Sequence, residues 1–471
     1  MTAADLSTDP TLWSATEQAA AIARRHLGAV ELLDAFVARI AAVNPTVNAV
    51  CTLAIEPARL LAKAADESTA RGESTGPLHG LTVTIKDALE TAGIVSTGGA
   101  AALRDYVPAV DAPAVAAAKG AGAIVFGKTN LPEWSGDLQT YGGLFGTTNN
   151  PWDLTRTPGG SSGGAAAAVA TGMTSFEIGT DIGGSVRVPA AYCGVFGHKP
   201  SHGIIPTLGY LDSVGGGTTE LDVNVFGPMA RSADDLALLV DVLAGPTPAR
   251  SPAWRLELPR STVKSLRGLR VAAWFDEPAI EIDHEMRSIL HDAASAISGA
   301  GARVDRAARP DIDVRTAWTE GARLISAALA VGRTEDVAPN VAQLGHHEWH
   351  LIDRRRAARR LAWDVVFRDF DVVLCPVTCL AAFEHLHSGT WDDRMIEVNG
   401  HPARYVQLEA WPALIGSALL PSTSTPVGRT AGGLPIGMQV VAPYLHDHTA
   451  IAVAGLITEV VGGYAPPPIV A

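Results

Sequence analysis

The chain has 471 residues, of which 47% are hydrophobic and 18% charged, so it can bury a large core and is not disordered as a whole. Its 36 basic and 49 acidic residues give a formal net charge of 36 − 49 = −13, which disfavours a surface that binds nucleic acid or an anionic membrane. The helical spacing of the densest basic run predicts a solvated helix face; the run consists of Arg354, Arg355, Arg356, Arg359 and Arg360.

The sequence disfavours export and membrane insertion. The first ten residues, MTAADLSTDP, lack the basic start and apolar centre of a signal peptide. No stretch reaches about 18 uncharged apolar residues, the minimum for a membrane-spanning helix. Four cysteines are too few for a disulfide framework in a chain of this size, and their apolar surroundings are typical of buried thiols. We therefore expect a soluble, cytoplasmic protein.

The N-terminal part of the chain, residues 1–75, is predicted to be helical. Apolar spacing predicts one helix around 18–23 and a second around 31–37 that ends before Pro45. A third helix is predicted over 56–70.

The pattern then changes to that of an α/β protein. Residues 81–86 alternate apolar and polar side chains as a strand does, and this segment ends in Lys86. A helix over 112–118 and a short buried strand over 123–126 follow. This strand–helix–strand order predicts an α/β architecture.

The second half resumes the alternation of strands and helices without a fixed-period repeat. The stretch 246–268, rich in Pro, Arg and Ser, is predicted to be a surface connection. The remaining predicted elements are strands at 269–274, 371–374 and 436–441 and a helix over 283–298.

Residues 122–129 match the phosphate-loop pattern GxxxxGK[ST], but the physical context differs. A phosphate loop needs an open turn followed by a helix, whereas the middle of this segment is the apolar run Ala-Ile-Val-Phe, and Pro132 stops any following helix. We therefore do not expect nucleotide binding here.

Residues 160–164 match the GxSxG pattern, in which Ser162 would be the nucleophile of an α/β-hydrolase-type esterase. That motif requires an apolar strand immediately before it, and the preceding residues 150–158 have the composition of a turn. Esterase chemistry at Ser162 therefore stays open as an alternative.

Three histidine pairs have spacings that occur in metal sites, but no cysteine or carboxylate set accompanies them. We expect solvated loop histidines rather than a metal centre; the pairs are His346 with His347, His385 with His387, and His446 with His448.

Two segments rich in Gly and Ser, 159–164 and 179–187, become informative together with Lys86. The order Lys86, Gly-Gly-Ser-Ser-Gly-Gly, then Gly-x-Asp-x-Gly-Gly-Ser-x-Arg resembles the amidase signature family. The intervals 161 − 86 = 75 and 185 − 161 = 24 also agree with that family. The resemblance covers nearly the whole chain through further blocks at 127–130, 149–153, 193–200 and 433–440, and it is weakest over about 246–420.

The resemblance implies a single α/β domain over 1–471 with the amidase signature fold, a large central mixed and twisted β-sheet covered by helices on both faces. The divergent segment at about 246–420 would complete the substrate pocket. No metal or cofactor is implied.

The resemblance also implies that Ser185 is the nucleophile, Ser161 the bridging serine and Lys86 the base, with a cis peptide bond between Gly160 and Ser161. Serine is a weak nucleophile unless a base lies within about 2.6–3.2 Å, and lysine is a base only when burial or a positive neighbour lowers its pKa. The implied oxyanion donors are the backbone amides of Ile182, Gly183, Gly184 and Ser185. The implied orienting residues are Ser162, Thr180, Asp181 and Arg187.

The substrate is less well determined than the reaction. Apolar and aromatic residues near the serine segments and in the C-terminal half either line an acyl or aryl pocket or belong to the core. No Arg or Lys stands out as a clamp for an acidic group, so we expect uncharged aryl or alkyl amides. Carbamates (urethanes) and nylon-type oligomers are related alternatives. The candidate pocket residues are Trp134, Leu138, Tyr141, Leu144, Phe145, Trp411, Leu414 and Ile415.

The expected partners are a small amide or carbamate and water, and a homodimer is compatible with this expectation. The same resemblance also includes the amidase component of a tRNA-dependent amidotransferase, which acts as a glutaminase within a complex. The catalytic triad does not discriminate between that component and a free-standing amidase, but the middle and C-terminal parts of the chain resemble free-standing bacterial amidases more closely.

Overall fold

The computed structural model describes residues 9–330 and 344–470. The first ten residues, which are predicted not to form a signal peptide, lie mainly outside the described residues. Twelve α-helices occur in the described residues: α1 Ala15–Ala23, α2 Ala29–Val47, α3 Ile55–Arg71, α4 Pro113–Gly120, α5 Gly163–Ala170, α6 Arg187–Cys193, α7 Ala233–Leu243, α8 His284–Gly299, α9 Val314–Ala330, α10 His346–Asp369, α11 Ala410–Ser417 and α12 Asp447–Val461.

Thirteen strands accompany the helices in the same described residues. They are β1 Val50–Leu53, β2 Thr82–Lys86, β3 Ile124–Thr129, β4 Glu177–Asp181, β5 Phe196–Lys199, β6 Val225–Ala230, β7 Arg270–Ala273, β8 Arg303–Asp305, β9 Val372–Pro376, β10 Met395–Val398, β11 His401–Arg404, β12 Ser422–Arg429 and β13 Pro435–Val441.

The main sheet has eight strands in the order β4-β6-β5-β12-β13-β9-β7-β8. It is mixed, because β7 runs parallel to β8 and β9 while the other neighbours are antiparallel. A three-stranded sheet of order β1-β3-β2 and a two-stranded sheet of β10 and β11 complete the strand pairing. The predicted α/β class with a large mixed sheet is therefore confirmed.

The predicted helices and strands are present with shifted ends, and the prediction for the N-terminal part needs two corrections. Strand β1 interrupts the helices at residues 50–53, where it pairs with β3. Helix α2 continues through Pro45 to Val47 instead of ending before it. Asn44 stabilises this helix end, because its side-chain oxygen accepts hydrogen bonds of 2.8 Å from the amides of Ala49 and Val50.

The three-stranded sheet meets the eight-stranded sheet where β2 lies against β4. The hydroxyl of Thr84 in β2 donates a hydrogen bond to the carboxyl group of Glu177 in β4. The amide of Thr84 donates to the hydroxyl of Thr174, just before β4, at 2.9 Å. This junction places the C-terminal ends of β2 and β4, Lys86 and Asp181, in one region of the molecule.

The segment that resembles a phosphate loop is strand β3. The side chain of Lys128 is fully buried, and its amine donates to the carbonyl of Leu89 at 2.5 Å and to the hydroxyl of Thr91 at 2.8 Å. The predicted absence of a phosphate-binding turn at this position agrees with this geometry.

The basic run of α10 is only partly a solvated face. Arg354 is exposed, but Arg356 is buried and pairs with Asp222 at 2.9 Å. Arg355 and Arg359 pair with Glu320 of α9 at 2.5 and 2.6 Å. The two ion pairs with Glu320 attach α10 to α9. Within the described residues, every helix is either too short or too polar to cross a lipid bilayer.

Candidate active site

Lys86 is the last residue of β2, and its side chain is completely buried. Its amine lies 2.6 Å from the hydroxyl of Ser161 and 2.7 Å from the hydroxyl of Thr180. Burial lowers the pKa of Lys86 well below 10.5, although the negative charge of Asp181, and that of Glu177 when it is ionised, act in the opposite direction. A lysine with this environment is suited to accept a proton from Ser161.

Ser161 lies in a turn that precedes α5, and the peptide bond between Gly160 and Ser161 is cis, as expected. A β-carbon at position 160 would come within 2.6 Å of the backbone nitrogen and oxygen of Gln139, so only glycine fits. The next amide, that of Ser162, donates to the carbonyl of Ser185 at 3.2 Å. The turn is therefore attached to the segment that carries Ser185.

Asp181 and Arg187 organise the segment around Ser185. The carboxylate of Asp181 accepts hydrogen bonds from the amides of Gly184 at 2.9 Å and Val186 at 3.2 Å. It also accepts two hydrogen bonds from the guanidinium of Arg187, at 2.8 and 2.9 Å. Burial alone would raise the pKa of Asp181, but the Arg187 charge and hydrogen bonds outweigh it and hold that pKa at about 2.

Backbone amides suited to stabilise an oxyanion border the same cavity as Ser161 and Ser185. Ile182, Gly183 and Ser185 line this cavity, and their amides donate no hydrogen bond to any other described residue. The amide of Gly184 is already bonded to Asp181, so the expectation that it is a fourth donor needs correction. Gly184 has a φ of +114°, and glycine permits this turn.

Ser162 and Thr180 have different positions relative to the cavity. Thr180 lines it through the hydroxyl that contacts Lys86. Ser162 is fully buried, and its hydroxyl lies 3.3 Å from both the amide and the carbonyl of Thr180. Because Ser162 does not line the cavity, the geometry disfavours the alternative in which it is the nucleophile of an esterase.

The cavity above these serines has a volume of about 930 Å³. One wall is a face of α9 with apolar side chains, namely Trp318, Ala322, Ile325 and Leu329. Other parts of the lining come from segments near 135–138, 390–392 and 404–409. The ionisable residues along the cavity are Asp137, Arg315, Arg323, Asp392, Arg404 and Glu409.

Of the predicted pocket residues, Leu138 lines the cavity. Trp411, Leu414 and Ile415 instead belong to the core, where α11 is buried along its whole length. The ring of Trp411 packs edge-on against Trp274 with centroids 5.0 Å apart. The apolar composition of this segment therefore reflects core packing.

The aromatic residues before the serine segment also lie outside the cavity lining. The hydroxyl of Tyr141 donates to Asp137 at 2.9 Å, and its ring stacks on His387 with centroids 4.0 Å apart. Trp134 packs beside Gly98. Leu144 and Phe145 lie in a partly exposed turn.

Asp137 is at the cavity edge, but its charge is balanced within the protein. Its carboxylate pairs with Arg394 at 2.5 Å and accepts a hydrogen bond from Tyr405 at 2.7 Å. These contacts attach the segment next to Gly160 to the two-stranded sheet. We infer a supporting role for Asp137.

Sequence reasoning missed the α9 wall and Glu409. The α9 residues have the spacing of any amphipathic helix, so the pattern does not reveal that one side faces a cavity. A usable signal exists for Glu409, which is the one charged residue in the run Val406-Gln407-Leu408-Glu409-Ala410-Trp411-Pro412-Ala413. A charge in such a run is rare unless it has a specific role.

The described residues contain no group of three or more His, Cys, Asp or Glu side chains arranged to hold a metal ion. The prediction of solvated loop histidines needs correction: His346 and His347 begin helix α10, and His448 is buried in α12 and pairs with Asp241 at 3.0 Å. His385 and His387 have ring centroids 5.3 Å apart.

The family model described as Amidase matches residues 31–451. The chain belongs to the amidase signature family. It is accordingly an amide hydrolase that acts on C–N bonds.

A similar sequence is a glutamyl-tRNA(Gln) amidotransferase subunit from Carboxydothermus hydrogenoformans, which is 30% identical over 94% of this chain and 96% of its own length. Among solved structures, a 6-aminohexanoate cyclic dimer hydrolase is similar with a TM-score of 0.81 and 25% identity, covering 98% of this chain and 100% of its own. A bacterial aryl acylamidase has a TM-score of 0.83 at 24% identity over 96% of both chains, which supports the amidase signature fold.

Proposed function

We propose that this amidase cleaves amides through an acyl-enzyme intermediate on Ser185. The observation that carries this proposal is the 2.6 Å contact between the buried amine of Lys86 and the hydroxyl of Ser161, together with the position of Ser161 and Ser185 in the lining of one cavity. A neutral Lys86 accepts the proton of Ser161, and Ser161 takes the proton of Ser185 as the Ser185 oxygen attacks the amide carbon.

The remaining steps reuse the same groups in the opposite direction. The developing oxyanion is stabilised by the amides of Ile182, Gly183 and Ser185, where each such donor contributes about 2.7–4 kcal/mol. Collapse of the tetrahedral intermediate breaks the C–N bond, and Ser161 passes a proton to the leaving nitrogen. Water, deprotonated through Ser161 and Lys86, then attacks the ester carbon and releases the carboxylic acid and Ser185.

We propose uncharged aryl or alkyl amides as substrates, with carbamates and nylon-type oligomers as related classes. The apolar face of α9 and the cavity volume of about 930 Å³ support an acyl or aryl group of considerable size. The relevant test compares anilides, aliphatic amides, amino-acid amides and carbamates at one enzyme concentration. Turnover limited to small amides such as glutamine would contradict this substrate class.

The relatives in sequence support a second candidate, the glutaminase component of a tRNA-dependent amidotransferase. Similarity to the amidotransferase relative spans 94% of this chain and 96% of that protein. To separate the candidates, the chain is purified alone and then mixed with the remaining components of such an enzyme. Ammonia release from glutamine only in the mixture favours this second candidate, whereas hydrolysis of simple amides by the chain alone favours the first.

Residence in the cytoplasm and formation of a homodimer remain proposals. Fractionation of cells that produce the protein tests its location, and light scattering of the purified chain tests its oligomeric state.

A further inference from the structure

Glu409 ends the short 3₁₀ turn Tyr405–Glu409 and immediately precedes α11. It lines the cavity, although only 5% of its surface is exposed. One of its carboxyl oxygens lies 3.3 Å from the position that a β-carbon of Gly183 would occupy. The carboxyl group is therefore next to the backbone that borders the reacting carbonyl in the proposed mechanism.

The carboxyl group of Glu409 has no hydrogen-bond or ion-pair partner among the residues that the structure describes. Among the residues that the structure describes, none donates a hydrogen bond to it and no Arg, Lys or His forms an ion pair with it. A buried carboxylate without a hydrogen-bonded or charged partner is costly, so such a group stays protonated instead.

The other charged groups around the cavity do not compensate Glu409. Arg323 pairs with Glu348 at 2.5 Å on the α9 side. Arg404, which also lines the cavity, pairs with Asp392 at 3.4 Å. Arg315 is exposed on α9. Asp137 pairs with Arg394. The amine of Lys86 contacts the hydroxyls of Ser161 and Thr180.

The electrostatic surroundings agree with a neutral group. Burial raises the pKa of Glu409 to about 8, and the nearby negative charge of Asp392 acts in the same direction. At neutral pH the group is therefore mainly a carboxylic acid, which has one O–H to donate.

We propose that Glu409 donates a hydrogen bond from its neutral carboxylic acid to an uncharged acceptor atom of the substrate, such as an ether or hydroxyl oxygen, next to the scissile amide. Glu409 then acts as a specificity residue for the acyl group. This inference rests on the proposed function, because it assumes that Ser185 attacks a carbonyl held beside Gly183.

A pair of amides that differ in one atom tests this inference. The methoxyacetyl and butyryl amides of the leaving amine found best in the substrate panel have the same length, but only the first offers an oxygen beside the carbonyl. Because the ether is also the more reactive acyl group, the informative quantity is the ratio of their kcat/KM values in each variant, relative to the ratio in the wild type.

We expect Glu409→Ala to lower this ratio about tenfold, mainly by raising KM for the methoxyacetyl amide, because it removes the donor. Glu409→Gln keeps an N–H donor, and we expect it to restore the ratio to within about threefold of wild type. In the wild type the ratio falls above pH 8 as Glu409 ionises, whereas the Gln variant shows no such fall. Asp392→Asn moves the fall to lower pH because it removes a neighbouring negative charge.

An unchanged ratio in Glu409→Ala, with the fold verified by circular dichroism, overturns the inference. A strong preference for the glycyl amide, which carries an ammonium group at neutral pH, also overturns it if Glu409→Gln abolishes that preference, because the carboxylate is then the functional form. Ser185→Ala is measured in parallel. Turnover that survives in Ser185→Ala refutes the proposed function. If Ser185→Ala is inactive, the proposed function stands, and the ratio measured for the Glu409 variants alone decides the inference about Glu409.

Discussion

At the residue scale, the proposed chemistry depends on burial, which favours the neutral form of Lys86. The amine of Lys86 donates to two hydroxyls, and burial outweighs the opposing effect of Asp181 and Glu177 on its pKa. In the proposed mechanism, Ser161 and Ser185 exchange a proton with a neutral amine, and no strong ion pair has to be broken first. Burial also favours the neutral form of Glu409, because it raises the pKa of this carboxyl group.

Single substitutions test which of the two candidate nucleophiles, Ser185 or Ser162, forms the acyl-enzyme. We expect Ser185→Ala to reduce kcat by roughly 10⁶-fold, because it removes the group that forms the acyl-enzyme. Ser162→Ala should cost less than about tenfold, since the hydrogen bonds of its hydroxyl in the described part of the chain go to backbone atoms of Thr180. Steady-state kinetics on one amide measures both, and a larger loss in Ser162→Ala contradicts the assignment.

The pH profile reports on Lys86. Because only the neutral amine is a base and its pKa is lowered, kcat/KM should rise with pH and reach its plateau well below 10.5. Lys86→Ala should lose about 10²–10⁴-fold at neutral pH, with partial recovery at high pH as hydroxide replaces the base. Lys86→Arg is the matched control that keeps a positive group, and it should stay inactive at every pH. Activity of Lys86→Arg equal to wild type would exclude lysine as the base.

At the scale of elements, the site is built where two turns are fixed to each other. The turn before α5 carries Ser161, and the turn between β4 and α6 carries Ser185. Asp181 and Arg187 fix the second turn to α11 and the main sheet, since the Arg187 guanidinium also donates to Pro412 at 3.1 Å and Gln439 at 2.9 Å. The proposed oxyanion donors therefore depend on a buried ion pair outside the cavity lining.

Breaking that ion pair should cost both stability and activity. Asp181→Asn leaves the charge of Arg187 buried without its partner, and we expect a loss of about 3–5 kcal/mol in the free energy of unfolding. Equilibrium urea unfolding measures it. Glu73→Gln removes the exposed pair with Arg71 and should show no detectable change.

The same ion pair has a defined pH dependence. The pKa of Asp181 is about 2 in the folded protein, below the ordinary 3.8, so its contribution is present above 3.8 and is lost as the pH falls towards 2. The wild type and Asp181→Asn should therefore approach equal stability in strong acid. A constant difference down to pH 2 would contradict this assignment.

At the scale of the whole molecule, the active site depends on contact between the two larger sheets. Lys86 belongs to the three-stranded sheet and Thr180 to the eight-stranded sheet, and they meet at 2.7 Å. Glu177 and Thr84 form a second contact across the same junction. Glu177 is fully buried, and burial raises its pKa to about 8.

The junction should make the stability of the molecule sensitive to alkaline pH. The folded state keeps the proton of Glu177 that the unfolded chain releases near pH 4.5, so this contribution is complete below 4.5 and is lost as the pH rises to about 8. Glu177→Gln removes the titration, so the wild type should lose stability relative to this variant between pH 5 and 8. Unfolding curves at several pH values measure the difference, with exposed Glu257→Gln as control. Parallel curves for wild type and Glu177→Gln would refute the prediction.

The sequence predicted those parts of the molecule in which local chemistry is explicit. Gly, Ser, Asp and Arg at fixed positions indicated the turns around Ser161 and Ser185, and apolar periodicity indicated most strands and helices. It could not assign the cavity wall, because Trp411 and Trp318 look alike in sequence, yet the first is in the core and the second faces the cavity. Which apolar face meets empty space is decided by long-range packing, for example of α9 against α11.

The contact between Lys86 and Thr180 has a consequence for how the enzyme can fail. Any change that moves β2 away from β4 admits water to the amine, and a hydrated amine regains its proton and ceases to be a base. Solvation at the boundary of two sheets therefore sets the activity, and an inactive variant can retain every hydroxyl and amide that the reaction needs.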